Sequence, residues 1–211
     1  MRIGIIGSGH VGSTLAEHFT DHGYEVAVSN SRGPDTLRDL ESRLGGRAHA
    51  MTPQEAEWFG DIVVVAVPFK NYADVPADGV VDKVVIDTCN YSPDRDGHFP
   101  ELDDGRTTSS EMLAERLPRA RVVKAFNAIQ WDSLRDKSRR TGDGTRVGIP
   151  ISGDDAHAKQ AVALLIDQIG FAPVNAGMLG EGGRKHQPGT EVYAADLPGR
   201  DLQARVSPAA R

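Results

Sequence analysis

Six residues near the start of the chain, Gly7-Ser8-Gly9-His10-Val11-Gly12, have the types and spacing to hold a phosphate group. The first glycine permits a tight turn, the second lets backbone approach an anion, and the third lets a helix lie against a strand. Free N–H groups and the positive dipole end at a helix start favour negative charge there. His10, inside this loop, is expected to orient backbone rather than to carry protons. A second constellation, Ser29-Asn30-Ser31-Arg32-Gly33, follows at about the twenty-residue distance where an acidic side chain would accept two ribose hydroxyls. The acid is missing. Ser31 offers a hydroxyl and Arg32 a planar, permanently charged fork, a pair suited to a 2′-phosphate, so NADP(H) is favoured over NAD(H). The competing reading makes Arg32 a solvated loop residue.

Three further turns end apolar runs: Ala66-Val67-Pro68-Phe69, Thr88-Cys89-Asn90 and Lys124-Ala125-Phe126-Asn127. In an open parallel sheet, ligands occupy the crevice at the carboxyl ends of the strands. These turns are therefore expected at the ribose-nicotinamide end, with Pro68 and Phe69 as an apolar wall. Asn90 and Asn127 either hydrogen-bond ribose or carboxamide or simply cap their turns. The expected cofactor contacts are Gly7, Ser8, Gly9, His10, Val11, Gly12, Asn30, Ser31, Arg32, Ala66, Val67, Pro68, Asn90, Ala125 and Asn127. No catalytic side chain and no metal ligand is expected.

Positioning these groups requires a particular frame. Residues 3–6, 25–29, 61–67, 83–87 and 121–125 are short, nearly continuous apolar runs, as in parallel strands covered on both faces. Amphipathic stretches alternate with them. Val11, Leu15, Ala16 and Phe19 share one helical face that Gly23 ends. Thr52-Pro53-Gln54-Glu55 and Thr108-Ser109-Ser110-Glu111 are reciprocal capping signals, the second for a helix ending at Pro118. The pattern predicts an α/β fold, a Rossmann-type, doubly wound and mostly parallel sheet with a small C-terminal lobe. Residues 1–150 are expected to form the nucleotide-binding unit. Residues 151–211 form the lobe closing the acceptor site, with short strands over 146–151 and 171–175. A helix between them is capped by Asp154 and ends at Gly170. The stretch 92–107 reads as a surface loop, and the Gly/Pro-rich segment from Ala176 as an irregular tail.

Composition narrows the partners. The chain has 211 residues, with 24 Lys and Arg against 30 Asp and Glu, a net charge of -6, and no basic block that would track nucleic acid or an anionic membrane. The longest apolar run, 62–67, is far below the roughly 20 residues needed to cross a bilayer. With no signal-peptide pattern at Met1, a cytoplasmic protein is expected. The lone Cys89 forms no intrachain bridge and reads as a buried thiol. No tyrosine has a lysine four residues on, which removes the Tyr-Lys pair of short-chain dehydrogenases. No histidines are spaced as a zinc site, and His18 and His22 are expected on a solvated face. Trp58, Phe59 and Trp131 belong to core or to an interface, and a homodimer is the symmetry-based expectation.

The combination of Gly7 to Gly12, Ser29-Asn30-Ser31-Arg32-Gly33-Pro34, Ala66-Val67-Pro68, Val122-Val123-Lys124-Ala125-Phe126-Asn127 and Pro150-Ile151-Ser152-Gly153-Asp154-Asp155 resembles the coenzyme F420 (deazaflavin)-dependent NADP oxidoreductases and their bacterial relatives. The nucleotide module is also similar to the NADPH-binding domain of membrane ferric reductases. The resemblance implies hydride transfer between NADPH and the deazaflavin coenzyme F420 as co-substrate, with Ser31 and Arg32 on the 2′-phosphate. Such chemistry rests on alignment and electrostatics. Arg184, Lys185 and His186 then either attract the anionic tail of the acceptor or belong to a solvated glycine-rich loop. The alternatives are another small-molecule redox acceptor (a flavin, ferric chelate or quinone) or a non-catalytic NADP(H)-binding sensor.

Overall fold

A computed structural model describes residues 1–138 and 145–207; the last four residues of the Gly/Pro-rich tail lie outside them. Strands β1 (Arg2–Ile6), β2 (Glu25–Ser29), β3 (Ala48–Met51), β4 (Ile62–Val65), β5 (Val84–Asp87), β6 (Arg121–Lys124), β7 (Gly148–Gly153) and β8 (Ala172–Gly177) form one sheet in the order 3-2-1-4-5-6-7-8. The first six run parallel, in the order of doubly wound dinucleotide folds. The order reverses between β1 and β4, which opens a crevice at their carboxyl ends.

Burial explains the strand chemistry. All residues of β4 and β5 are buried, so the β-branched Ile62-Val63-Val64-Val65 and Val84-Val85-Ile86 meet helices on both faces. One face packs on α1 (His10–Asp21) and α8 (Ala156–Gln168) through Leu15, Phe19, Val162 and Ile166. The other meets α6 (Ser109–Arg116) through Leu113 and an aromatic group of Phe69, Tyr72, Tyr91 and Phe99. Helices α2 (Arg38–Leu44) and α3 (Pro53–Phe59) lie between β2 and β4 in the chain.

Both predicted capping boxes form. Thr52 Oγ1 accepts from Glu55 N at 3.2 Å and Thr108 Oγ1 from Glu111 N at 3.2 Å, while each glutamate accepts from the threonine backbone N–H at 2.8 Å. α1 ends at Asp21 and Gly23 takes a positive φ of 85°. Other local readings change. The cap of α8 is Asp155, which accepts from Ala158 N at 2.7 Å, whereas Asp154 accepts from Leu179 N at 2.8 Å and ties the tail down. Within 92–107 lie two short helices, α4 (Pro93–Asp96) and α5 (Pro100–Asp103), each with proline at its first position. They form because Asp96 accepts from Ser92 N and Arg95, and Phe99 packs into the aromatic group.

The boundary expected at residue 150 falls inside β7, and β7 and β8 extend the same sheet. β7 runs antiparallel to β6 and meets it through two residue pairs, Val123 with Gly153 and Lys124 with Ser152. The earlier residues of β7 consequently project past the end of β6. The Gly-rich tail is structured. α9 (Leu179–Arg184) follows β8 and α10 (Gly199–Val206) covers β7 and β8, while α7 (Trp131–Asp136), between β6 and β7 in the chain, packs against α1. The glycines of α9 serve close packing: a Cβ on Gly180 would lie 2.4 Å from Glu111 Oε1, and one on Gly182 2.6 Å from Ser152 Oγ. Among the described residues no helix is long and apolar enough to cross a membrane. Trp58 is exposed, Phe59 is half-buried, and Trp131 stands partly exposed beside the crevice.

Candidate functional site

β1 ends in a turn that only glycine can make. Gly7 has φ 111°, its N–H donates to Ser29 O at 3.0 Å, and a Cβ there would lie 2.2 Å from Ala66 O. A Cβ on Gly12 would lie 1.9 Å from Gly7 O, so α1 packs directly on the turn. Gly9 differs: a Cβ there would meet nothing within 4 Å. Gly7 and Gly12 are thus closed by packing, and Gly9 faces open space at the start of α1, where the first N–H groups have no intrahelical acceptor.

That open side faces a cleft of about 590 Å³ over the crevice between β1 and β4. Gly7, Ser8 and Gly9 form its floor, Asn30, Ser31 and Arg32 one rim, and Ala66, Val67 and Pro68 the opposite side, with Asn71 and the exposed Asp74 beyond. The rim is pre-set. Asn30 Oδ1 accepts from Arg32 N at 2.8 Å, and Asn30 Nδ2 donates to Thr36 Oγ1 at 2.9 Å and Ser8 Oγ at 3.3 Å. Asn30 therefore joins the glycine turn to the β2 turn and holds Ser31 and Arg32 in place. Ser29, where an acid would stand, gives its hydroxyl proton to Ile5 O. Among the described residues the Arg32 guanidinium has no ion pair and no hydrogen bond, and it is exposed at the cleft.

A smaller cleft of about 200 Å³ lies on the other side of the α1 start, lined by Val11, Thr88, Asn90, Asn127, Trp131 and Tyr193 among others. Beneath it is a buried polar chain. Asn127 Nδ2 donates to Asn90 Oδ1 at 3.0 Å and to His186 O at 2.8 Å, and Asn90 Nδ2 donates to Asn127 O at 2.8 Å. His186 is fully buried, with Nδ1 2.8 Å from Asn127 Oδ1 and Nε2 2.8 Å from Ser152 Oγ. Burial, helped by the nearby Lys124 charge, lowers its pKa to about 3, so the ring is neutral near pH 7. Phe126, also buried, is held at φ 62°, a costly conformation for a bulky residue that turns the chain into Asn127. Behind Asn90, Lys124 Nζ donates to Cys89 O at 2.9 Å and Ser110 Oγ at 2.8 Å and lies 3.5 Å from Asp87 Oδ2. Cys89 is buried and unpaired, and burial beside Asp87 pushes its thiol pKa well up.

The two clefts gather most of the residues singled out in the sequence. Gly7, Ser8, Gly9, Asn30, Ser31, Arg32, Ala66, Val67 and Pro68 line the larger one, and Val11, Asn90 and Asn127 the smaller. Four residues lie elsewhere. Gly12 is packed under the turn, and Ala125 is fully buried in the core. His10 is exposed, stacks on Trp131 with ring centroids 4.5 Å apart, and lines neither cleft. Phe69 turns away from the cleft to stack on Tyr72 at 4.8 Å, which leaves Pro68 as the wall. The expected cationic trio of the tail also separates. Arg184 lines another depression with Tyr91 and Thr107, Lys185 bonds Ala176 O at 3.2 Å, and His186 is neutral in the interior. Nor are His18 and His22 simply solvated: both are half-buried, and His18 Nε2 lies 2.7 Å from Leu134 O. Among the described residues no cluster of His, Cys, Asp or Glu can hold a metal. Trp131, read only as core or interface, and Tyr193 carried no signal for this site in the sequence, since a long stretch of chain separates them from the glycine motif.

Comparison with known proteins agrees with this geometry. Residues 2–91 match the family described as NADP oxidoreductase, coenzyme F420-dependent. A hypothetical protein of Sinorhizobium meliloti is 33% identical, with a TM-score of 0.80 over 94% of this chain and 95% of that one. A proposed F420-dependent NADP reductase of Arthrobacter sp. FB24 is 25% identical, with a TM-score of 0.71 over 84% of this chain and 85% of the other. Pyrroline carboxylate reductase of Plasmodium falciparum, solved with NADP bound, shares the fold at 14% identity, with a TM-score of 0.56 over 83% of this chain and 57% of that chain. A search of curated proteins gave no match. Fold, family and clefts together define an NAD(P)-dependent oxidoreductase. More narrowly, residues 2–91 match the coenzyme F420-dependent NADP oxidoreductase family, and the whole chain is similar to a proposed F420-dependent NADP reductase.

Proposed function

We propose that the protein transfers hydride between NADP(H) and a deazaflavin, coenzyme F420. The observation that carries the nucleotide half is one cleft holding both the glycine turn and a rim of Ser31 and Arg32 with no carboxylate at the end of β2. An unpaired guanidinium on that rim suits a 2′-phosphate, and the open side of Gly9 suits a pyrophosphate. The residues thus fit a phosphorylated dinucleotide, adenosine half in the larger cleft and nicotinamide half in the smaller. Bound NADPH would supply the hydride.

The chain's own part is binding and orientation. Arg32 and Ser31 hold the 2′-phosphate, the α1 N–H groups the diphosphate, and Pro68 and Val67 shield the ribose side from water. The family match over residues 2–91 and the similarity to a proposed F420-dependent NADP reductase support the deazaflavin as the acceptor.

The test mixes purified protein with NADPH and oxidised coenzyme F420 and follows the absorbance of both. Coupled loss at the two chromophores is expected. Measurable NADPH binding with no change in either would refute the proposal, and turnover with free flavin in place of the deazaflavin would reassign the acceptor.

A further inference from the structure

The smaller cleft contains a hydroxyl whose proton is unspent. Thr88 gives its own to Val65 O at 3.0 Å. Tyr193 OH lies 3.5 Å from Asn90 Nδ2 and donates to no described acceptor. Tyr193 is half-buried, comes from the tail, and lines the cleft beside Asn90.

Asn90 is held on both arms. Its Nδ2 donates to Asn127 O, and its Oδ1 accepts one hydrogen bond from Asn127 Nδ2, leaving a lone pair. Asn127 is fixed in turn, because Nδ2 already serves two acceptors, and Oδ1 must receive the Nδ1 proton of His186. His186 Nε2 is then an acceptor and takes the Ser152 hydroxyl proton. The chain Ser152, His186, Asn127, Asn90, Tyr193 thus has one consistent assignment of donors and acceptors, and it ends at the cleft with a free O–H beside a free lone pair.

A donor and an acceptor side by side between the apolar surfaces of Val11, Ile129 and Trp131 match a primary carboxamide on a flat ring. We infer that Tyr193 and Asn90 hold the carboxamide of the nicotinamide ring, Tyr193 donating to its oxygen and Asn90 accepting from its nitrogen. His186 is the positioning residue that fixes Asn90 through Asn127. The inference rests on the dinucleotide reading above and adds the C-terminal segment to the nucleotide site.

Calorimetry with two probes tests it: NADPH, and 2′,5′-ADP, which carries the adenosine half without nicotinamide. Tyr193→Phe should weaken NADPH roughly 3- to 10-fold, as for one neutral hydrogen bond, and leave 2′,5′-ADP unchanged. His186→Leu should weaken NADPH selectively in the same way, whereas His186→Gln, which keeps a donor and an acceptor, should restore it. Should His186→Leu fail to fold, Tyr193→Phe and His186→Gln still decide. If wild-type protein binds both probes and Tyr193→Phe leaves their ratio unchanged, the inference falls and the dinucleotide reading stands. If wild-type protein binds neither, both fall.

Discussion

Replacing Lys124 by methionine isolates the buried ion pair beneath the smaller cleft. Lys124 and Asp87 are 2% and 1% exposed, and their closest charged atoms are 3.5 Å apart. Methionine keeps the stem and removes the charge, leaving the Asp87 carboxylate in the interior without its counter-ion. Breaking one side of a buried pair costs about 3–5 kcal/mol. Asp87 keeps two donors, Ser110 Oγ at 2.6 Å and Cys89 N at 2.8 Å, which places the loss near the lower end, about 3 kcal/mol. With a urea slope of about 1–3 kcal/mol/M, the unfolding midpoint should fall by about 1–3 M. Asp87→Asn in the same chain removes the stranded charge, so the double variant should regain at least about 1 kcal/mol. A Lys124→Met protein within about 1 kcal/mol of wild type, or a double variant no more stable than the single one, would refute the reasoning.

Arg32→Ala should weaken NADPH by about 1.5–3 kcal/mol, the loss of a charged hydrogen bond, and spare NADH; calorimetry showing equal weakening of both contradicts the rim assignment. His186 has a folded pKa of about 3 against 6.5 in the open chain, so the unfolded state binds the extra proton first as pH falls. Stability from this group is full above pH 6.5 and declines by about 1.4 kcal/mol per pH unit toward pH 3, a slope that His186→Gln should flatten; parallel stability curves would count against it. Cys89, buried and with its thiolate disfavoured, should resist alkylation in the native protein at pH 8 and react fully on unfolding, and rapid native labelling would show the thiol to be accessible.

The legible parts of the sequence were those where local chemistry and tertiary demand coincide. The apolar runs of β1, β2, β4, β5 and β6 lie within a residue or two of their observed limits, because burial on both faces permits little but β-branched residues. Thr52 and Thr108 cap as expected because their partners are three residues away. The edge strand Ala48-His49-Ala50-Met51 carries no such run, since mostly half-buried positions tolerate mixed chemistry. The tail misled for a different reason. Glycine usually marks loops, but at Gly180 and Gly182 it lets α9 touch Glu111 and Ser152, a requirement set by residues distant in the chain. Of the two clefts, the larger was legible because its floor and rim are contiguous motifs. The smaller depends on Trp131, His186 and Tyr193 meeting Asn90, which only the three-dimensional arrangement reveals.

The route of the polar chain also sets an order of assembly. Its members are Asn90, Asn127, Ser152, His186 and Tyr193, so synthesis supplies the residues of the glycine turn first and the last member of the floor of the smaller cleft more than a hundred residues later. Until residue 193 has been added, the smaller cleft lacks the last member of this polar chain, whereas every residue lining the larger cleft lies at or before Val75.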